Sequence, residues 1–295
     1  MIGTRQNKKF LLSSLLAFGL LASMPSSADV GELPVATKTP IIFDAMTFRG
    51  KPDLGLSKEL SFIYAWEATL KDEEESLAKA GSNKKSSTRT VEPYFFNRTV
   101  QKRTEFEYIV IDIESFRPDE DSIAIRYVEL AKSAAPGSKV AWWNLGPRNI
   151  VNTSFRPFSN EEWQANFDKR KALVEANDFC ILGFYFRSDD TIETWRARHV
   201  PRIAEARRLY GAKPIFVTLA PHYFDKGKKP WPFISGKMLG EAMDILAELQ
   251  VDGIVLWSFE GTGKLQIWDE QRDWVRTVRN RTDSGGRYKR PALFQ

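Results

Sequence analysis

The segment Ile111-Asp112-Ile113-Glu114 sets two carboxylates two positions apart at the end of an apolar run, Tyr108 to Glu114. A strand alternates its side chains between two faces, so Asp112 and Glu114 share one face while Ile111 and Ile113 take the other. Their Cα atoms then lie roughly 6–7 Å apart. Two acids on one face of a buried strand are costly without a partner or a use. Mutual repulsion raises the proton affinity of one of them, which is what a general acid needs. The competing reading is a structural pair held by Arg117 or Arg126. Placement at the C-terminal end of a strand favours chemistry, because that is where barrel folds assemble their sites.

Other chemistries find little material. The chain holds two histidines, His199 and His222, and one cysteine, Cys180, too few for a zinc site, and no metal or cofactor is expected. Gly261-Thr262-Gly263-Lys264 lacks the upstream glycine and the following hydroxyl of a phosphate loop. No Ser-His-Asp arrangement stands out. His199 falls in the middle of a helical stretch and reads as structural. Cys180 sits in Phe179-Cys180-Ile181-Leu182 and reads as buried core.

The acids need elements to hold them, and the chain supplies seven short apolar runs: Pro40–Phe48, Ser61–Glu67, Tyr108–Glu114, Lys139–Leu145, Phe179–Phe186, Pro214–Ala220 and Asp252–Phe259. The second fits a helix as well as a strand. Most are continuously apolar rather than alternating, the mark of parallel strands covered on both faces. Between them lie helical patterns at Asp119–Ala135, Ser159–Asn177, Thr191–Tyr210 and Ser235–Leu249. Strand and helix repeated in this way predict an α/β fold, a distorted (β/α) TIM-like barrel of about seven parallel strands in a single domain spanning 40–282. A doubly wound open sheet is the alternative. Lys71–Thr90 reads as a fraying helix end and a mobile loop.

At the start, Arg5, Lys8 and Lys9, the apolar run Phe10–Ala22 and the small residues Ser26-Ser27-Ala28 make a secretory signal peptide over 1–28, followed by an N-terminal extension over 29–39. The run is too short for a permanent membrane span and no cysteine follows for lipidation, so no stable membrane anchor is expected. Export and a single cysteine point to a bacterial periplasmic or extracellular protein. Loss of residues 1–28 removes three positive and no negative charges and brings the formal net charge of +5 to +2. That excludes a strong nucleic-acid binder. The remaining basic residues, Arg272 to Arg290, read as a solvated helix face and a flexible basic tail over 283–295.

Four segments together resemble the hyaluronidase family of bee venom and sperm. Asp112-Ile-Glu114-Ser-Phe-Arg117-Pro118 resembles that family's D-W-E-x-W-R-P, and Gly183-Phe-Tyr185-Phe-Arg-Ser-Asp189 its G-Y-Y-L-F-P-D. Leu209-Tyr210 with Pro214–Val217 resembles L-Y-P-S-I-Y-L, and Gly253–Trp257 resembles G-V-V-L-W-G, all in the family's order. The chain departs at Ile113, Phe116 and Ser258, and lacks the family's cysteines. The resemblance implies a glycoside hydrolase of barrel type that acts on an N-acetylhexosamine-containing polysaccharide or oligosaccharide by substrate-assisted retention. On that pattern Glu114 is the acid and base, Asp112 orients the acetamido group, Tyr185 binds its carbonyl oxygen and Trp257 floors the sugar subsite. Tyr185 and Trp257 also fit as plain core. Asp44, closing the first strand, and Glu260, following the last, keep a rival open: Glu114 as acid with Glu260 as direct nucleophile. Asn144, His222 and Tyr223, near strand ends, are further candidates for touching the sugar. The other class is a non-catalytic monomeric barrel that binds a glycan or an envelope partner.

Overall fold

The computed structural model describes residues 38–64, 67, 93–113, 121–144, 161, 164–165, 168–224, 231–258 and 267–290. The signal-peptide segment, Lys71–Thr90, Glu114, Arg117, Glu260 and residues 291–295 lie outside the described residues. Among the described residues there are seven strands: β1 Ile41–Ala45, β2 Leu60–Tyr64, β3 Tyr108–Asp112, β4 Lys139–Trp142, β5 Cys180–Gly183, β6 Ile215–Leu219 and β7 Gly253–Trp257. The described helices are α1 Pro93–Gln101, α2 Asp121–Ala134, α3 Lys171–Ala176, α4 Ile192–Tyr210, α5 Gly236–Glu248 and α6 Asp273–Asn280. Every strand pairing is parallel, in a four-stranded sheet ordered β1-β7-β6-β5 and a three-stranded sheet ordered β2-β3-β4. Of the run at Ser61–Glu67, Ser61–Tyr64 lie in strand β2.

The sheets meet at two seams made differently from the ladders within them. At β1 and β2, the Asp44 amide donates to the Ser57 carbonyl and the Ser57 amide to the Ile42 carbonyl, both at 2.9 Å. At β4 and β5, side chains add to the backbone bonds, in which the Asn144 amide donates to the Ile181 carbonyl at 3.1 Å and the Asp178 amide to the Val140 carbonyl at 2.9 Å. The Val140 amide donates to Asp178 Oδ2 at 2.9 Å and the Trp142 amide to Asn177 Oδ1. Asn177 is fully buried, and its Nδ2 donates to the Leu173 carbonyl at 2.6 Å. Its polar atoms are satisfied, as burial demands.

The period of two sorts each strand between two environments. Phe43, Phe62, Val110, Ala141, Ile181, Phe216 and Val255, one from every strand, form a shared inner cluster. The opposite face of the larger sheet packs Ile42, Leu182, Val217 and Leu256 against Trp195, Leu239 and Trp274 of α4, α5 and α6. The opposite face of the smaller sheet packs Ile63, Ile111 and Val140 against Phe96, Val128 and Leu173 of α1, α2 and α3. Each such aliphatic or aromatic side chain contributes about 1.5–3 kcal/mol on full burial. Gly253 is required inside: a Cβ there would stand 2.7 Å from the Phe43 ring and 2.9 Å from that of Phe216.

Helix starts follow their caps. Thr191 and Thr194 form a reciprocal capping box on α4, and Ser235 Oγ accepts from the Met238 amide at 3.2 Å on α5. α6 buries Trp274, Val275 and Val278 rather than standing free. The segment after it, where a tail was expected from residue 283, is hydrogen-bonded to the fold through its described residues. The Tyr288 amide donates to the Pro40 carbonyl at 2.9 Å, the Ile42 amide to the Gly286 carbonyl at 2.7 Å, and Tyr288 Oη to Asp244 Oδ1 at 2.6 Å. Arg281, Arg279 and Arg290 pair with Asp244, Glu270 and Glu248. Carboxylates distant in the chain hold this basic stretch against the fold through residue 290.

Candidate functional site

On the same face as the inner cluster, at or just past the strands' C-terminal ends and one or two alternation steps beyond the residue each strand gives to it, stand Ala45, Tyr64, Asp112, Trp143, Tyr185, Ala220 and Trp257. The register sets Ala45 opposite Trp257 and Tyr64 opposite Asp112. Asp112 shares its strand face with Tyr108 and Val110 of the inner cluster, as the alternation of the apolar run requires.

The rim is mostly aromatic. Trp257 Nε1 donates to Tyr64 Oη at 3.1 Å. The Tyr185 ring lies 5.6 Å from that of Trp257 and 6.4 Å from that of Trp143, tilted to both. Tyr64 stacks on Phe62 at 5.7 Å, and Phe62 meets Trp143 edge-on at 5.8 Å. Gly183 makes room for this: a Cβ there would lie 3.1 Å from the Tyr185 ring and 3.2 Å from that of Trp143. Phe224, 39% exposed, stacks on Tyr185 at 4.9 Å and leans on Trp231 at 4.6 Å, so the wall of rings continues outward. Tyr185 and Asp112 are half-buried, between the buried tryptophans and solvent.

Burial pushes the Tyr64 phenol up to about 12, the negative charge of Asp112 adds to the rise, and the Trp257 indole N–H pulls against it. Tyr64 therefore stays protonated beside the Asp112 carboxyl. The β2 end that carries it is fixed by Glu67, whose Oε2 accepts from the Tyr64 amide at 3.0 Å and whose other oxygen pairs with Arg103. The arrangement sets a carboxyl and two phenols among flat apolar rings. That combination can orient a polar group while covering the apolar face of a ring-shaped substrate.

Of the residues expected from sequence, Asp112, Tyr185 and Trp257 are brought together. Asp44 is not. It shares its face with Ile42 and Met46, toward the helices, and both of its oxygens are held by Lys51. Asn144 also turns away. It adopts φ 51°, and its Oδ1 accepts from Arg202 of α4 at 3.4 Å. Tyr223 Oη reaches Met238 Sδ at 3.9 Å and its ring packs against the outer cluster. His222 is 1% exposed and stacked on Trp231 at 5.4 Å, so it backs the wall rather than facing solvent. Burial pulls its imidazole down to about 4. Glu114 and Glu260 lie outside the described residues. Sequence reasoning passed over Tyr64, Trp143, Phe224 and Trp231. The first two were findable, because each ends an apolar run at the same height as Asp112.

Among the described residues, no group of three or more histidines, cysteines, aspartates and glutamates is placed to hold a metal ion. No described helix is long and apolar enough to cross a membrane.

No protein-family model matches the chain, and no curated protein matches it in sequence. Solved structures do. The crystal structure of bee venom hyaluronidase is similar over 75% of this chain and 91% of that one, at 14% identity and a TM-score of 0.55. The same bee venom enzyme in complex with a hyaluronic acid tetramer is similar over 74% and 90% of the two chains, at 14% identity and a TM-score of 0.53. The chain therefore has, at a distance, the fold of a hyaluronidase-like glycoside hydrolase.

Proposed function

We propose that the chain is a glycoside hydrolase that cleaves an N-acetylhexosamine-containing polysaccharide, with the two sheets acting as one distorted barrel and the aromatic rim as its sugar site. One observation carries this reading: Asp112, Tyr185 and Trp257 converge on one face at the strands' C-terminal ends, in a fold shared with an enzyme that was solved with a hyaluronic acid tetramer. The hydrogen bonds that cross both seams support the barrel.

In this reading Glu114, two residues beyond Asp112, donates its proton to the glycosidic oxygen as that bond breaks. The carbonyl oxygen of the substrate's acetamido group attacks the anomeric carbon from the opposite face. Asp112 accepts from the acetamido N–H and stabilises the positive charge that builds there. The Tyr185 hydroxyl donates to the attacking carbonyl oxygen and fixes its direction. Trp257 lies under the sugar ring. Water then attacks the anomeric carbon while Glu114 takes its proton, and two inversions leave the configuration retained. Asp44, Asn144 and Tyr223 have no part in it, because their side chains are engaged on the helix side. The protein is read as an exported monomer of the periplasm or the exterior, on the pattern of residues 1–28.

The test is reducing-end release from hyaluronan, chitin oligomers, chondroitin and peptidoglycan by the wild-type chain and by Glu114→Gln. Release by the wild type alone supports the reading and names the substrate class. Equal release by both, or glycan binding without release, leaves a binding barrel. A thiazoline that mimics the cyclised intermediate inhibits the substrate-assisted route. A hydrolase indifferent to it points to Glu260 as direct nucleophile.

A further inference from the structure

The end of β5 is gripped from behind by one turn of α4. Arg202 Nη1 donates to the Gly183 carbonyl at 3.0 Å, and Arg198 Nη2 to the Tyr185 carbonyl at 3.3 Å. His199 stands between the two arginines. Its Nδ1 lies 3.0 Å from Arg202 Nη1 and its Nε2 lies 3.4 Å from the Tyr185 carbonyl oxygen. A guanidinium only donates, so Nδ1 accepts, and Nε2 carries the proton and donates to Tyr185. Arg198 Nε also points at that Nε2, at 3.3 Å, a bond that only the other tautomer could accept. Both carbonyls that bracket Phe184 are thus held by donors from a single helix.

The grip is itself braced. Asp190, with a side chain 3% exposed, pairs with both terminal nitrogens of Arg198 and accepts from the Arg187 amide at 2.7 Å. Arg202 also reaches Asn144 Oδ1 at the end of β4 and covers the face of Phe184 at 4.7 Å. His199 and Arg202 are 2% and 3% exposed. Phe184 and Phe186 share their strand face with the outer cluster, so this assembly lies behind Tyr185 and cannot touch a substrate in the rim. Taking Arg202 and most of Arg198 out of water is an expensive anchor for two carbonyls, even with Asp190 paired to Arg198. What it sets is the height of Tyr185 against Trp143 and Trp257.

We propose that Arg198 and Arg202 are positioning residues for Tyr185, holding its hydroxyl where the acetamido carbonyl oxygen arrives, an assignment that rests on the reaction given above. Preorganisation of that kind is lost with sub-ångström displacement.

The experiment uses the full chain labelled with 3-fluorotyrosine, the Tyr185 fluorine resonance being identified by its absence from Tyr185→Phe. In Arg202→Met that resonance shifts and broadens, and in Arg202→Lys it returns part of the way, while the signal of the distant Tyr288 holds. On the substrate identified with wild type, Arg202→Met lowers kcat about tenfold with KM within about twofold. Arg202→Met adds nothing further in a Tyr185→Phe background, because both changes act through one side chain. An unmoved Tyr185 resonance in folded Arg202→Met, or rate losses that multiply in the double variant, overturns the assignment. Where Arg202→Met does not fold, Arg202→Lys and Arg198→Lys give the same readouts. If the wild type hydrolyses nothing, the fluorine signal still decides the positioning, and the failure belongs to the proposed reaction.

Discussion

Asp44 and Asp112 both end an apolar strand near its C-terminal edge, yet they sit in opposite worlds. Asp44 points to the helix side, where Lys51 takes both its oxygens and leaves it 5% exposed. Asp112 points to the shared inner face, half-buried, with its charge felt by the Tyr64 phenol. The two acids differ by one step of strand parity. Parity, rather than residue type, decides which carboxylate faces the helices and which faces the inner cluster.

The sharpest way to break that contrast is at its inner side. If Glu114 is the proton donor of the proposed reaction, Glu114→Gln lowers kcat by about 10²–10⁴-fold with little change in melting temperature. Steady-state kinetics beside a thermal melt measures both. A small rate loss would mean that the inner acids are structural too.

Next in size is acid lability. His222 is held down to about 4 by burial, and His199 well below its usual value by burial and the flanking Arg202 and Arg198. The fold favours both neutral rings, so their stabilisation is complete above about 6.5 and is lost as pH falls below it, for His222 toward about 4. For His222 the loss is on the order of 3 kcal/mol. Urea melts at a series of pH values read it. His222→Phe, which keeps a ring against Trp231, flattens part of that slope.

Two inner-face glycines separate core from site. Gly253→Ala overpacks Phe43 and Phe216 and costs about 1–3 kcal/mol of stability, leaving KM unchanged in whatever protein folds. Gly183→Ala presses on Tyr185 and Trp143 and lowers kcat several-fold at a smaller cost in stability, about 1 kcal/mol. Equal kinetic effects would deny the upper layer its special status. The smallest effect is Trp257→Phe, which loses the bond to Tyr64 and some stacking area. It weakens substrate binding by about 1 kcal/mol, seen in KM or by calorimetry.

Six of the seven strands were legible because continuous apolar runs declare burial on both faces, while the run at Ser61–Glu67 fitted a helix equally, and the shared face of Asp112 with its neighbours followed from the period of two. What local pattern withholds is which face is inner. Asp44 looked equivalent to Asp112, since only the pairing of Asp44 with Leu256 and the grip of Lys51 reveal its direction. The same blindness hid Trp143 behind Trp142 in Ala141-Trp142-Trp143: one faces the helices, the other the rim. Asn144 was misjudged because its partner, Arg202, lies far along the chain. The docking of residues 283–290 rests equally on distant partners, Pro40, Ile42 and Asp244.

The most direct measurement sets Asp112→Asn beside Asp44→Asn and compares initial rates of reducing-end release from the substrate that wild type cleaves, each variant checked by thermal melt. The account predicts that Asp112→Asn loses at least about 100-fold in kcat at nearly normal stability. It predicts that Asp44→Asn keeps its rate and loses about 1–3 kcal/mol of stability, because Lys51 is left buried without its charge partner. Comparable rate losses in the two, or a fully active Asp112→Asn, would contradict it.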